Sequence, residues 1–377
     1  MEKRRVLFVM HMPPPVHGSS VVGKNIHDSK IIRDAFECRY VNLMLASTLE
    51  DIGGWGLKKI VKYKQIVQNV RTQLNEFRPE VVYVTPTLRG VAFFLNYIIV
   101  KMIKKRCSKV IIHCHNKGVA AHENNVVYNY FYKKFFKGLN AIVLTENLYD
   151  DIKRYVDTKH MFLCANGIPL DETITDDVAF YKDNKRCTFI YLSNMMAEKG
   201  VYVLLDACKI VANKRMDYVC HFVGGWTDIS EQDFINRCQE NGLTYSTPSV
   251  INQNAQIIAH GPKYGQEKND MLKRSDCFVF PTYYSLETLP LSVLEAMQIG
   301  LPIISTTEGG IPDVVIDGEN GFVCEKEDVD SLADAMIKMI KLEEKRKDMG
   351  NIGRQMYLEK YTKTAFENRF RDILVSL

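Results

Sequence analysis

The segment PTYYSLETLPLSVLEAMQIGLPIISTTEGGIPDVV, residues 281–315, holds two carboxylates in positions suited to chemistry. A strand is expected to end at Pro281, a loop to carry Glu287, and a helix to begin around Pro290, where proline suits the first helical position. The backbone N–H groups at such a start have no intrahelical partner and favour a phosphate. Glu295 falls on the second turn, one step back from that seat, where a carboxylate can grip the two hydroxyls of a ribose. Glu287 can reach a sugar attached beyond the phosphates. Plainer readings stay open: Glu295 as an exposed helical residue, and Glu287 as a loop carboxylate near a helix N-terminus.

Other residues carry weaker signals. His113 and His115 are two apart on an expected strand and so point the same way. Most strand histidines are packed or hydrogen-bonded, but the place of His115 at the strand's end favours contact with a substrate. Asp328-Val329-Asp330 is the one D-x-D string. It opens an expected helix, where acidic residues commonly sit in the first turn, so it reads as capping and not as a metal site. Gly224-Gly225-Trp226 after a strand reads as a turn.

Short β-rich runs alternate with helical patterns through the whole chain. The first half is expected to form strands at 6–10, 39–41, 81–84, 110–114 and 141–145. The second half is expected to form them at 187–192, 219–224, 256–260, 277–281, 302–305 and 321–324. Helices such as 201–214 and 291–299 fall between, and the chain from about Ser331 reads as helical and amphipathic. Two rounds of β–α alternation imply an α/β protein with two parallel sheets covered by helices, the boundary lying near Asn166-Gly167-Ile168-Pro169. Ligands in such sheets bind at the carboxyl ends of the strands, and two facing domains would place the site in the cleft between them.

The 377 residues suit two domains, and 46% hydrophobic with 25% charged residues is an ordinary globular composition. Disordered, collagen-like and disulfide-framework classes are excluded. Ten spread cysteines with no C-x-x-C suggest reduced thiols in a cytoplasmic protein. The longest apolar stretch, 91–100, is far short of the roughly 20 residues of a membrane span. Three prolines after Val6–Met10 make that run a buried strand and not a signal peptide.

The net charge of +4 conceals an asymmetry: residues 1–170 carry a net +13 and the remainder a net −9. Lys58, Lys59, Lys62, Lys64 and Arg71 share one expected helix, whose apolar face is read as Ile60, Tyr63, Val67, Val70, Leu74 and Phe77. A second cluster is Lys101, Lys104, Lys105, Arg106 and Lys109. These surfaces suit an anionic membrane or a phosphate-bearing substrate. Nucleic acid is disfavoured, because no basic–aromatic interleaving or binding module appears.

The spacing Glu287-x7-Glu295, followed by Ala296-Met297, Gly300-Leu301-Pro302-Ile303 and Glu308-Gly309-Gly310-Ile311-Pro312, resembles the signature of the retaining family-four glycosyltransferases. The likeness continues in order through HMPPPVHGSS (11–20), IIHCHNKG (111–118), ANGIP (165–169), LSNMMAEKG (192–200) and SDCFVFPTYYSLET (275–288). It implies the GT-B fold, with two Rossmann-like domains facing across a cleft. Residues 1–168 would form an N-terminal acceptor-binding domain and 169–377 a C-terminal nucleotide-sugar-binding domain, the last helix packing back on the first. By the same resemblance Glu295 holds the ribose and Glu287 the donor sugar's hydroxyls. The backbone N–H groups of Thr288, Leu289 and Leu291 face sugar and diphosphate, Gly18 takes the glycine position of the first phosphate-approach loop, and His115 lies at the donor sugar. Lys199 matches the basic residue that neutralises the departing diphosphate, a role in which a fixed cation stabilises developing negative charge; a solvated lysine before a helix is the plainer reading.

Two departures stand out. His17 precedes Gly18 where many relatives have a second glycine, and Ser193-Asn194 stands where many have Gly-Arg. Asn194 can donate a hydrogen bond to phosphate, but without the guanidinium's charge or fork. The resemblance implies no metal, no cofactor and no enzyme base, since the leaving phosphate is thought to deprotonate the acceptor. The expectation is a retaining transferase, peripheral at the cytoplasmic face of the cell membrane. It would pass a sugar from a nucleotide-sugar donor to a lipid-linked or saccharide acceptor in cell-surface polysaccharide assembly. A GT-B nucleotide-sugar epimerase and a non-enzymatic carbohydrate-binding protein remain as alternatives.

Overall fold

A strand buried on both faces reads as a continuous apolar run, and the run Val6–Met10 is fully buried. The computed structural model describes residues 2–15, 18–45, 57–171, 174, 186–250, 252 and 254–377, and His17 lies outside them. The chain divides into two units, residues 1–167 with 362–377, and residues 168–361.

In the first unit β1 (Arg4–Met10) is followed by α1 (Gly18–Asp28), α2 (Lys30–Ala35), β2 (Phe36–Asn42), α3 (Leu57–Glu76), β3 (Val81–Val84), α4 (Gly90–Lys104), β4 (Val110–His113), α5 (Val126–Phe136), β5 (Asn140–Val143) and β6 (Met161–Leu163). The six strands form one sheet in the order β2-β1-β3-β4-β5-β6, every pairing parallel. Reversal of strand direction of growth at β1 leaves a switch point at its carboxyl end, where such sheets bind ligands.

The second unit runs β7 (Cys187–Leu192), α6 (Val201–Asn213), β8 (Tyr218–Val223), α7 (Glu231–Glu240), β9 (Tyr245–Ser246), β10 (Ile257–Ala259), α8 (Gly265–Lys273), β11 (Cys277–Phe280), α9 (Leu291–Ile299), β12 (Ile303–Thr306), β13 (Gly321–Cys324), α10 (Val329–Lys341) and α11 (Glu343–Lys360). Its seven strands are also parallel, ordered β13-β12-β11-β7-β8-β10-β9. The switch falls at β7 and β11, so the loops after these two strands meet.

The helix α12 (Lys363–Ser376) belongs to the first unit. Its Phe366, Phe370, Ile373 and Leu374 join the core built by Phe8, Tyr83 and Ile111, and the Arg4 guanidinium donates to the carbonyl of Leu374 at 3.0 Å. Asp328 caps α10, accepting from the Ser331 amide at 2.9 Å, which is the role read for the D-x-D string.

Several expectations need adjusting. On α3 the buried side chains are Ile66, Val70 and Leu74, with Phe77 just past its end, whereas Ile60 and Val61 are 45% and 55% exposed. The helix packs against β2 and α4, with its buried side chains beginning at Ile66, and with Ile60 and Val61 turned to solvent. Pro290 is the cap preceding α9 and not its first helical residue. β6 and β9, with three and two residues, were not anticipated. Both are sheet edges too short to show periodicity.

Candidate functional site

In the second unit the loops after β7 and β11 bring Lys199 and Glu287 together. A short helical turn, Ala197–Lys199, follows β7 and ends at Gly200, whose φ is +84°. Any Cβ at Gly200 would collide with the carbonyl oxygen of Pro281. Only glycine lets the two loops approach this closely. The contact is reinforced by the Tyr283 amide, which donates to Glu198 O at 2.9 Å. Ahead of the turn, the Ala197 amide donates to Asp228 at 3.1 Å.

The Lys199 ammonium forms an ion pair with Glu287 Oε2, and their side chains are only 14% and 10% exposed. The ammonium also lies over the rings of Tyr284, 4.6 Å from the centroid, and Phe280, at 5.5 Å. A cation over aromatic faces gains from the ring quadrupole. Removing one partner of so buried a pair would leave an uncompensated charge.

The Glu287 loop is clamped from its other side by residues 308–310. The Gly310 amide donates to Thr288 O at 2.7 Å. Gly309, at φ +60°, leaves no room for a side chain: a Cβ would sit 2.5 Å from Glu287 O and 2.6 Å from Thr288 O. Glu308, nearly buried, accepts from the Gly309 amide at 3.1 Å and pairs with Lys326 at 3.0 Å. Under the loop, Thr306 Oγ1 donates to Thr282 O.

The loop runs through Leu289 and Pro290 into α9, so Leu291 opens the helix. The first amides of a helix lack an intrahelical acceptor, and the partial positive charge there favours an anion; in α9 the Val293 amide is already engaged, donating to Pro290 O at 3.2 Å. Glu295, one turn further, pairs with Lys268 of α8 at 2.6 Å, both side chains about one-fifth exposed. This differs from a freely exposed helical residue. Asn194 follows β7, its carbonyl accepting from the Tyr191 hydroxyl at 3.0 Å, and the bridge between Met195 and Trp226 ties its loop to the Gly224-Gly225 turn.

Two expected site residues, Gly18 and His115, belong to the first unit. Gly18 is the exposed first residue of α1, and among the described residues, its chain neighbours aside, no atom lies within 4 Å of where its Cβ would be. His115 lies just past β4, its ring 4.0 Å from that of His113. Tyr83 and His113 are hydrogen-bonded at 2.9 Å. Complete burial holds His113 well below the usual histidine range, so it backs His115 as a neutral ring. The loop that follows is fixed by Asp151, whose carboxylate accepts from the amides of Gly118, Val119 and Ala120 at 3.0–3.2 Å.

On β8 and just past β10, His221 Nδ1 and His260 Nε2 are 2.7 Å apart. Burial lowers each to about 4, with the neighbouring His260 adding to the effect on His221 and Lys263 to that on His260. Lys268, Tyr284 and Asp151 were not singled out from the sequence. Each acts through a partner at least 27 positions away or through ring placement, and no local pattern marks that.

Residues 173–356 match the family model described as glycosyl transferases group 1. The capsular polysaccharide biosynthesis glycosyltransferase CapM of Staphylococcus aureus is 26% identical over 172 residues, 46% of this chain and 41% of the relative. A UDP-Gal:alpha-D-GlcNAc-diphosphoundecaprenol alpha-1,3-galactosyltransferase of Escherichia coli is 31% identical over 99 residues, 26% of this chain and 24% of the relative. The matched stretches thus span well under half of these relatives. The crystal structure of Anabaena HepE in complex with UDP aligns with 99% of this chain and 100% of its own at 15% identity, with a TM-score of 0.71. That likeness shows the fold, two parallel-sheet α/β domains of the GT-B class.

Proposed function

We propose, from the match of residues 173–356 to the family model of group 1 glycosyl transferases, that the chain is a retaining glycosyltransferase of cell-surface polysaccharide assembly. It moves a sugar from a nucleotide-diphosphate sugar to a lipid-linked acceptor, and works without a metal at the cytoplasmic face of an anionic membrane. The relative that carries capsular polysaccharide in its name and the one named for a diphosphoundecaprenol substrate support this setting. The structure of HepE with UDP supports a nucleotide donor.

The observation that carries the reading is the buried Lys199–Glu287 pair beside the start of α9. The donor's diphosphate sits on the amides of Thr288, Leu289 and Leu291, and the ribose hydroxyls on Glu295. The incoming diphosphate draws the Lys199 ammonium from Glu287, which frees that carboxylate to accept the sugar's hydroxyls. The bond from the anomeric carbon to the diphosphate oxygen then breaks. The acceptor hydroxyl oxygen bonds the same carbon from the same face, and its proton passes to the departing phosphate. Lys199, with Asn194 as a neutral donor, stabilises the charge left on the diphosphate. Gly18 and His115, on the first unit, are assigned to phosphate approach and the donor sugar, and that unit takes the acceptor.

The test is thermal stabilisation by UDP, GDP and ADP in the presence of EDTA. A nucleotide that binds only the native state adds about 2.7 kcal/mol at a hundred times its dissociation constant. A shift with one of the three is expected, and no shift with any would overturn the donor assignment. Release of a free rearranged sugar with no transfer would favour an epimerase. Separately, neutralising Lys58, Lys59 and Lys62 is expected to weaken liposome binding and transfer. If both are unchanged, the membrane setting on α3 fails.

A further inference from the structure

We propose that Lys268 is the positioning residue of the ribose seat: it fixes Glu295, and the pair selects a nucleotide whose two adjacent ribose hydroxyls are both intact. The inference rests on the donor assignment proposed above, which puts those hydroxyls on Glu295, and adds to it a residue from another helix.

On α9 the residues Val293, Leu294, Ala296, Met297, Gln298 and Ile299 are buried. Glu295 stands among them with 23% of its side chain exposed. A carboxylate in such surroundings needs a fixed partner. Lys268 of α8 supplies it, donating to Glu295 Oε1 at 2.6 Å with its own side chain 21% exposed. Among the described residues neither side chain has a second partner.

The helix that carries the lysine is held in place by its other side chains. Leu272 is fully buried, and Asn269 and Lys273 both reach Asp171, at 3.1 and 3.7 Å. Glu267 pairs with Lys263 at 3.4 Å, and Gln266 donates to Asp270 at 2.7 Å. Lys268 is left to reach across to α9. Its situation differs from that of Lys199, whose ammonium has the rings of Tyr284 and Phe280 as a second seat when it leaves Glu287. Among the described residues no ring lies under the Lys268 ammonium, so it stays with Glu295 when a nucleotide binds.

The pair offers a ribose more than a lone carboxylate does. An ammonium has three N–H donors and a carboxylate two accepting oxygens. With one N–H on Oε1, Oε2 and two N–H groups remain. One ribose hydroxyl donates to Oε2, and the oxygen of its neighbour accepts from the ammonium, both bonds being charge-assisted. A lone glutamate would have to freeze its rotamers as the nucleotide binds, whereas Lys268 has already restricted them. Removing either hydroxyl leaves part of a charged, mostly buried pair without its hydrogen bond.

The test uses the full chain, titrated with whichever of UDP, GDP and ADP shifts its melting temperature, and with the 2′-deoxy and 3′-deoxy forms of that nucleotide. Pyrophosphate serves as the probe without a ribose. Wild type should bind the ribonucleotide about ten- to a hundredfold more tightly than either deoxy form, the range of a hydrogen bond to a charged group. Lys268→Met keeps an apolar stem of similar length and removes the charge. It should lose about tenfold of that preference, read relative to pyrophosphate, and Lys268→Arg should recover most of it. The preference is a ratio within each variant, so a loss of stability alone leaves it unchanged. A lysine that serves packing only would weaken all four ligands alike, and that result would overturn the proposal. If Lys268→Met keeps the preference while Glu295→Gln loses it, the ribose seat stands and Lys268 has no part in it. If wild type binds a nucleotide but Glu295→Gln keeps the preference, the ribose assignment falls and this inference with it. If no nucleotide shifts wild type, the donor assignment itself fails.

Discussion

Lys199 and Glu287 are 88 positions apart, yet their charges meet in a nearly dry site. Each neutralises the other, and in the function proposed above a donor would give each its own part to hold. Substitutions therefore separate stability from chemistry. Lys199→Ala should lower the melting temperature, because Glu287 is left as an unpaired buried carboxylate. It should also slow transfer by a factor on the order of 10²–10³, the usual cost of losing one fixed charge-stabilising group. Adding Glu287→Gln to that variant should restore the melting temperature and leave transfer slow. Melting curves and single-turnover rates on the three proteins check this, and normal transfer by Lys199→Ala would take the lysine out of the chemistry. The motif identified both residues one at a time; it held no sign that they pair, since an ion pair across two loops leaves no local pattern. Lys268 beside Glu295 was hidden for the same reason.

Among the elements, the loop 308–310 sets where the Glu287 backbone lies. Gly309→Ala must move that backbone or its own, since its Cβ would lie 2.5 Å from Glu287 O at a φ of +60°. Strain of this kind costs about 1–3 kcal/mol. The expected result is a lower melting temperature together with weaker nucleotide binding, read by the same thermal shift; lower stability with unchanged affinity would show that the loop is not a clamp. A second prediction concerns β8 and β10, joined by His221 and His260. Both have folded-state values lowered to about 4, from 6.5. Protons then bind the unfolded chain first, so these histidines add nothing adverse above about pH 6.5 and destabilise progressively as pH falls toward 4. The melting-temperature advantage of wild type over His221→Asn should therefore shrink between pH 7 and pH 5; a constant difference would refute the linkage. The strands themselves were legible in the sequence because parallel strands buried on both faces read as apolar runs such as Val81–Val84. β6 and β9 escaped because a two- or three-residue edge has no period. The exposure of Ile60 escaped because helical spacing finds an apolar face but not where the neighbouring elements stop covering it.

At the scale of the whole molecule, the first unit is assembled from two separated pieces of chain, residues 1–167 and 362–377. The second piece is structural: Phe366, Phe370 and Leu374 are fully buried with Phe8 and Tyr83. Phe370 also touches the ring that backs His115, its centroid 4.9 Å from Tyr83 and 6.4 Å from His113. Removing its ring leaves a cavity, for which a Phe→Ala change typically costs about 3–5 kcal/mol. Shortening the chain after Tyr361 removes the whole apolar face of α12, along with the acceptors on Leu374 and Val375 for Arg4. In hydrogen exchange, the peptides covering Val6–Met10 and Val81–Val84 should lose protection in the shortened chain, whereas those covering β7, β11 and β12 keep theirs. The nucleotide shift should persist in Phe370→Ala, because Lys199, Glu287 and Glu295 all belong to the other unit. Unchanged protection of Val6–Met10 would mean that α12 covers a core able to stand without it. Loss of the nucleotide shift in Phe370→Ala would instead mean that donor binding depends on the integrity of the first unit, and the division of labour proposed for the two units would have to be redrawn.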